Sequence, residues 1–168
     1  MPEPDQSAEQ RIGNVGEDYV ESLCAMPFGK DFLFRGATYR TKNGDVELGD
    51  LLMLLDDTVV IMEVKTALRD KKKDWTDDQW SKWANRRLDS ALNQMRRGCE
   101  AILTGKVKQV ENKRQGVIAV DPTRLKHYYG VVVVDHPKLD KWGAGPSLSV
   151  EGRTISVLTT THEELPHL

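Results

Sequence analysis

Residues 43–66 read NGDVELGDLLMLLDDTVVIMEVKT. Two apolar strands, Val46–Leu55 and Thr58–Thr66, are predicted here on either side of a tight Asp56-Asp57 turn. Asp50 opens the apolar run LLMLL, and Glu63-Val64-Lys65 close the second strand. Strand side chains alternate between faces, so Glu63 and Lys65 project from one face and Val64 from the other. A slip of one residue would reverse every side chain, so the register is strongly specified. Both runs are almost continuously apolar instead of alternating, the mark of strands covered on both faces. The expected fold class is therefore α/β, a central mixed sheet flanked by helices.

Outward from this stretch, Phe32–Thr41 reads as a preceding strand, turned back by Asn43-Gly44, a strong hairpin signal. Before it, Ser7 and Gln10 have capping-box spacing and open a helix to about Ala25, with Pro27 beyond. Ile12, Val15, Tyr19 and Leu23 form its apolar stripe. Gly13 and Gly16 each cost about 1 kcal/mol relative to Ala in a helix, so this end is expected to press closely on the sheet. Glu17 lies just off the stripe, where it can lean over the sheet edge.

After Thr66 the chain turns basic, ALRDKKKDWT, and Thr76 is placed to cap a helix over Asp77–Leu103, with Gly105 beyond its end. Trp80, Ala84, Leu88, Ala91, Leu92, Met95, Cys99, Ile102 and Leu103 fall on one side of it. Lys82, Arg86, Ser90, Asn93 and Arg97 fall on the other, with Arg87 and Gln94 on the border. Trp80 is expected in the core. Trp83 points to the basic side, where stacking on a base competes with ordinary packing. Lys106–Gln115 reads as an exposed connection. Val117–Asp121, Gly130–Asp135 and Ile155–Thr159 read as further strands, Trp142–Pro146 as loop, and Thr161 with Glu164 as the opening of a last helix or terminal turn.

The 168 residues fit one domain: a loose tail over 1–6, a core over about 7–135 and a C-terminal extension over 136–168 that reads as a terminal turn or as a chain cut short of a further domain. Apolar residues make up 39% and charged residues 30%, the profile of an ordinary soluble protein. No apolar run approaches the roughly 20 residues a bilayer requires, and the N-terminus has no signal-peptide pattern. Cys24 and Cys99 fall in predicted helices and read as reduced, buried thiols, so the expected location is cytoplasmic. The net charge of −2 conceals a cluster of positive charge between Lys65 and Arg97. The four histidines are scattered, without metal-ligand spacing.

Asp50 and Glu63 at the end of a buried hairpin can offer two oxygens to a hard cation such as Mg²⁺, with Mn²⁺ as substitute, and the Val64 carbonyl a third. Glu17 can add a fourth or hold a bound water. Lys65 is placed to orient an attacking water and to stabilise charge developing on a phosphoryl group. Gln94 faces the metal side or the nucleic-acid backbone. Asp45 and Glu47 are rival candidates for the strand acid, although a hairpin flank accounts for both.

The combination G-N-V-G-E, then GD-LLMLL-DD-TVVIM-EVKT, then a helix glutamine resembles the PD-(D/E)xK nuclease superfamily, above all its Holliday-junction-resolvase-like and nuclease-related-domain branches. The likeness spans roughly Gly13 to Gln94. It implies the restriction-endonuclease-like α-β-β-β-α-β core and Mg²⁺-dependent DNA cleavage. It also implies Asp50 and Glu63 as metal ligands, Lys65 as the catalytic lysine, Glu17 as the helix acid and Gln94 as the helix glutamine. Gly49 stands where many members have proline. Lys71, Lys72, Lys73, Arg86, Arg87 and Arg97 are the expected phosphate contacts, and a homodimer is compatible with cutting two strands. The alternative is a nuclease-fold module without activity that binds nucleic acid or a protein partner.

Overall fold

The computed structural model describes residues 8–28, 30–66, 75–112, 116–135 and 146–161. The tail over 1–6, the Ser7 cap, Lys71–Lys73 and a last helix after Thr161 lie outside the described residues. Helix α1 covers Ala8–Phe28, three residues past the expected end, and α2 covers Asp77–Leu103. Ten strands among the described residues accompany them: β1 Leu33–Arg35, β2 Thr38–Thr41, β3 Gly44–Glu47, β4 Leu51–Leu55, β5 Thr58–Thr66, β6 Gln109–Asn112, β7 Gly116–Ala119, β8 His127–Asp135, β9 Leu148–Val150 and β10 Arg153–Thr160.

Six strands form a central mixed sheet in the order β1-β4-β5-β8-β10-β9. β1, β4 and β5 pair antiparallel, β5, β8 and β10 run parallel, and β9 closes one edge antiparallel. The Asp56-Asp57 turn sets the β4–β5 register, with Leu55 opposite Thr58 and Leu51 opposite Met62. Asp56 adopts a left-handed φ of 49°, which Asp tolerates in tight turns.

The two long strands expected around the Asn43-Gly44 hairpin are each interrupted. Gly36, at φ +56°, ends β1, and residues 48–50 separate β3 from β4. The outer halves, β2 and β3, pair with each other as a separate two-stranded sheet. The connection expected over Lys106–Gln115 contains β6, which pairs with β7 in a third sheet. Val107 and Val110 anchor this region in the core, although its polar residues suggest full exposure. β9 has no counterpart among the expected strands, being only three residues long.

Each face of the sheet carries one helix and its own apolar cluster. Val20 and Cys24 of α1 pack with Met53, Met62, Val64 and Val133. Met95, Cys99 and Ile102 of α2 pack with Val59, Ile61, Val132 and Val134 on the opposite face. Both cysteines are buried free thiols. Thr76 caps α2 in a reciprocal box with Gln79, and Gly105 follows its end at φ +67°.

Within the apolar stripe expected to bury α1, Val15 is 66% exposed and Tyr19 44%, while Leu23 is half-buried. The helix buries Gly16, Val20 and Cys24. A side chain at Gly16 would collide with the Thr66 hydroxyl and meet Val64 Cγ1 at 3.4 Å, so closeness of approach, not apolar area, selects the face. Trp83 is corrected likewise. It is 5% exposed, edge-on to Trp80 at 6.0 Å, and so packs in the core instead of facing the basic side. Among the described residues no helix is long and apolar enough to cross a membrane.

Candidate active site

β4 begins at Leu51 and pairs only as far as Met62, so residues 63–66 of β5 extend beyond it. The Asp50 side chain fills the gap: its Oδ2 accepts a 2.6 Å hydrogen bond from the Val64 N–H. N–H and C=O of one strand residue leave by the same edge, so the Val64 carbonyl points toward Asp50 too. The site thus forms where a short strand leaves its longer neighbour unpaired.

Glu63 and Lys65 project together on the α2 face, the side of Val59 and Ile61. Lys65 Nζ donates to Glu63 Oε2 at 2.6 Å and lies 3.5 Å from Asp50 Oδ2. The Glu63 side chain is fully buried and its Oε1 has no hydrogen-bond partner among the described residues. Burial, and then the charge of Asp50, push the Glu63 carboxyl up to about 8. Burial opposes the Lys65 ammonium, but Glu63 and Asp50 outweigh it and hold its pKa above the ordinary lysine value. Lys65 is therefore a charged donor.

Gly49 has a local reason. A Cβ there would stand 2.6 Å from Ile61 Cγ2 and 3.4 Å from Glu63 Oε1. Any larger side chain at this position would crowd Ile61 and the Glu63 carboxyl.

Glu17 approaches from α1, its Oε2 3.2 Å from Arg35 Nη2. Burial and Asp50 raise its carboxyl, while Arg35 and Lys65 oppose that. Its carboxylate is turned to Arg35, and among the described residues no three His, Cys, Asp or Glu side chains form a ready-made ligand shell. The edge offers Asp50, Glu63 with its unpartnered oxygen, and the Val64 carbonyl. This donor set is all oxygen, two carboxyl groups and a backbone carbonyl, and a buried acceptor without a donor suits a hard cation.

The rival acids separate. Asp45 bonds Arg40 at 3.0 Å on the exposed β2–β3 hairpin, away from the cluster. Glu47 belongs to the site's field: burial, then Asp50 and Glu17, raise its carboxyl. It adds to Asp50 without replacing it. Gln94 is half-buried on α2. α2 carries the chain from the end of β5 toward the start of the parallel strand β8, so it runs antiparallel to β5. Gly98 lies against the Leu48 carbonyl, and a Cβ there would stand 3.0 Å from Ile61 Cδ1. Gln94 lies one turn before Gly98, about 6 Å along the helix, on the face of the sheet from which Glu63 and Lys65 project.

Arg86, Arg87 and Arg97 are exposed on α2, with Arg87 stacked 5.9 Å over the Trp83 ring. Lys71, Lys72 and Lys73 lie outside the described residues. Sequence reasoning missed Arg35, because Phe32–Thr41 reads as one strand and hides the break that places Arg35 at a strand end. Gly36 was the available signal. Comparison of the chain with protein-family models, with curated proteins and with solved structures returns no match.

Proposed function

We propose that the protein is a metal-dependent deoxyribonuclease of the PD-(D/E)xK type. The observation that carries the reading is the cluster of Asp50, Glu63 and Lys65 where β5 runs past the end of β4, with a buried carboxylate oxygen left without a donor among the described residues. The element order α1–β1–β4–β5–α2–β8 in and around the central sheet supports the restriction-endonuclease-like arrangement.

Asp50, Glu63 and the Val64 carbonyl would hold Mg²⁺, or Mn²⁺ in its place, with Glu17 close enough in charge to assist. The bound ion supplies Lewis acidity and a more acidic water at neutral pH. Lys65, held protonated, aligns the attacking water by hydrogen bonding and neutralises charge that builds on the phosphoryl oxygens. Because Lys65 is half-buried and held between two carboxylates, it is already oriented before substrate arrives, so little reorganisation accompanies the reaction. Gln94, half-buried on the helix that covers this face, would donate to water or backbone phosphate. Arg86, Arg87 and Arg97 hold the DNA backbone.

The test is a cleavage assay on plasmid, linear and branched DNA with Mg²⁺, Mn²⁺ or EDTA. We expect cutting that requires the cation, vanishes in Glu63→Ala and slows about 10²- to 10³-fold in Lys65→Ala. Full cutting by Lys65→Ala would overturn the assignment. DNA binding indifferent to metal, without products from any substrate, would favour the binding module.

A further inference from the structure

Arg35 ends β1 and stands opposite Leu51 in the β1–β4 register. The next residue's N–H, from Gly36, donates to the Asp50 carbonyl at 3.2 Å. The Arg35 guanidinium reaches in the other direction, to α1. Nη1 bonds Asp18 and lies 3.4 Å from Glu21 Oε2. Nη2 lies 3.2 Å from Glu17 Oε2 and 3.4 Å from the Asn14 carbonyl. One side chain therefore ties the helix acid to the strand pair that presents Asp50. Glu17 needs such a tie, since it is half-buried in the field of Asp50 and Glu47, both repelling it. A lysine could not replace this fork, because only a guanidinium meets several carboxylates in a fixed plane.

We propose that Arg35 is a positioning residue of the candidate site: it fixes the Glu17 carboxylate beside the strand pair that presents Asp50 and so sets how tightly the site takes a divalent cation. The assignment rests on the metal-site reading above. Arg35 acts through Glu17, and Asp18 and Glu21 serve to fix the guanidinium plane.

The test is calorimetric titration of Mn²⁺ into the full chain and its Arg35→Ala, Arg35→Lys, Glu17→Gln and double Glu17→Gln, Arg35→Ala variants. Support for outer partners of metal ligands is commonly worth 10- to 100-fold in affinity, and Arg35→Ala is expected to weaken Mn²⁺ about tenfold on that scale. Arg35→Lys should recover part of the loss. In the Glu17→Gln background the Arg35 change should add less than about twofold, because the residue it acts through is already disabled. A merely structural tie would lower the melting temperature without this non-additivity. Should Arg35→Ala not fold, Arg35→Lys decides: weakened binding that disappears in the Glu17→Gln background supports the assignment, and unchanged binding overturns it. Unaltered Mn²⁺ affinity in Arg35→Ala, or fully additive losses, would overturn the role of Arg35 alone. No Mn²⁺ binding by the unaltered protein would overturn the metal site and this assignment together.

Discussion

Glu63 is the residue where folding and chemistry oppose each other. A fully buried carboxylate costs free energy that neither Lys65 nor the sheet removes entirely, since Oε1 stays without a donor among the described residues. Its folded pKa of about 8 exceeds the ordinary 4.5, so the folded protein binds this proton more tightly than the unfolded chain does. The resulting stabilisation is complete below about pH 4.5 and is lost as pH rises through about 8. In EDTA, the melting temperature of the unaltered protein should fall relative to Glu63→Gln between pH 5 and 8. The expected size is on the order of a few kcal/mol, or several degrees. Glu17 and Glu47, raised in the same direction, are present in both proteins and cancel. A difference that stays constant with pH would show that Glu63 does not titrate in this window. Lys65 carries the second residue-scale prediction: Lys65→Ala should lower the cleavage rate by about 10²- to 10³-fold, the scale of losing one preorganised charge stabiliser. Circular dichroism would establish that the variant is folded. Without a fall in rate, Lys65 is only the counter-ion of Glu63.

Elements that carry their information locally were legible in the chain. The E-x-K triplet sits where strand alternation predicts, Thr76 caps α2, Asp56-Asp57 turns the chain, and the first hairpin turns at Lys42-Asn43, one residue before the expected Asn43-Gly44. What escaped is set between elements. The buried face of α1 and the course of Phe32–Thr41 depend on how closely backbones approach, and one chain gives no direct measure of that. Hydrophobicity ranks Val15 and Tyr19 above Gly16, yet the sheet accepts only the flatter face. The same holds for Glu47, which reads as a hairpin flank because its neighbours, Asp50 and Glu17, come from other elements. Gly98 makes this testable. Gly→Ala in an exposed helix interior gains about 1 kcal/mol, but a Cβ here would strike the Leu48 backbone carbonyl and approach Ile61 Cδ1 to 3.0 Å. Gly98→Ala should therefore destabilise the protein by about 1–3 kcal/mol in urea unfolding, the usual cost of overpacking. Val15→Lys, on the exposed side of α1, should stay within about 0.5 kcal/mol. A stabilised Gly98→Ala would mean that α2 stands further from the sheet than described.

At the scale of the molecule, direction organises the rest. β5 and β8 are parallel, and α2 returns between them, so its N-terminal half lies toward the strand ends that carry Glu63 and Lys65. Arg86 and Arg87 precede Gln94 by eight and seven residues, and so stand roughly 10–12 Å further out along the helix at about 1.5 Å per residue. Arg96 and Arg97 follow it. Between residues 86 and 97 the outward side of α2 carries four exposed arginines against Asp89, in a protein whose net charge is −2, and that local excess is what a phosphate backbone would meet. Each phosphate neutralised contributes a slope of about −0.9 in the dependence of log affinity on log salt. Replacing Arg86, Arg87 and Arg97 by Ala in a Glu63→Ala background, where no cleavage intrudes, should flatten that slope by about 2–3. The loss should be equal across sequences, because backbone contacts position DNA without reading it. An unchanged slope would remove this helix from the interface and move the DNA path to the other side of the β5 edge. There it would meet Glu17, Asp18 and Glu21, whose repulsion of a phosphate chain makes α2 the better-matched face.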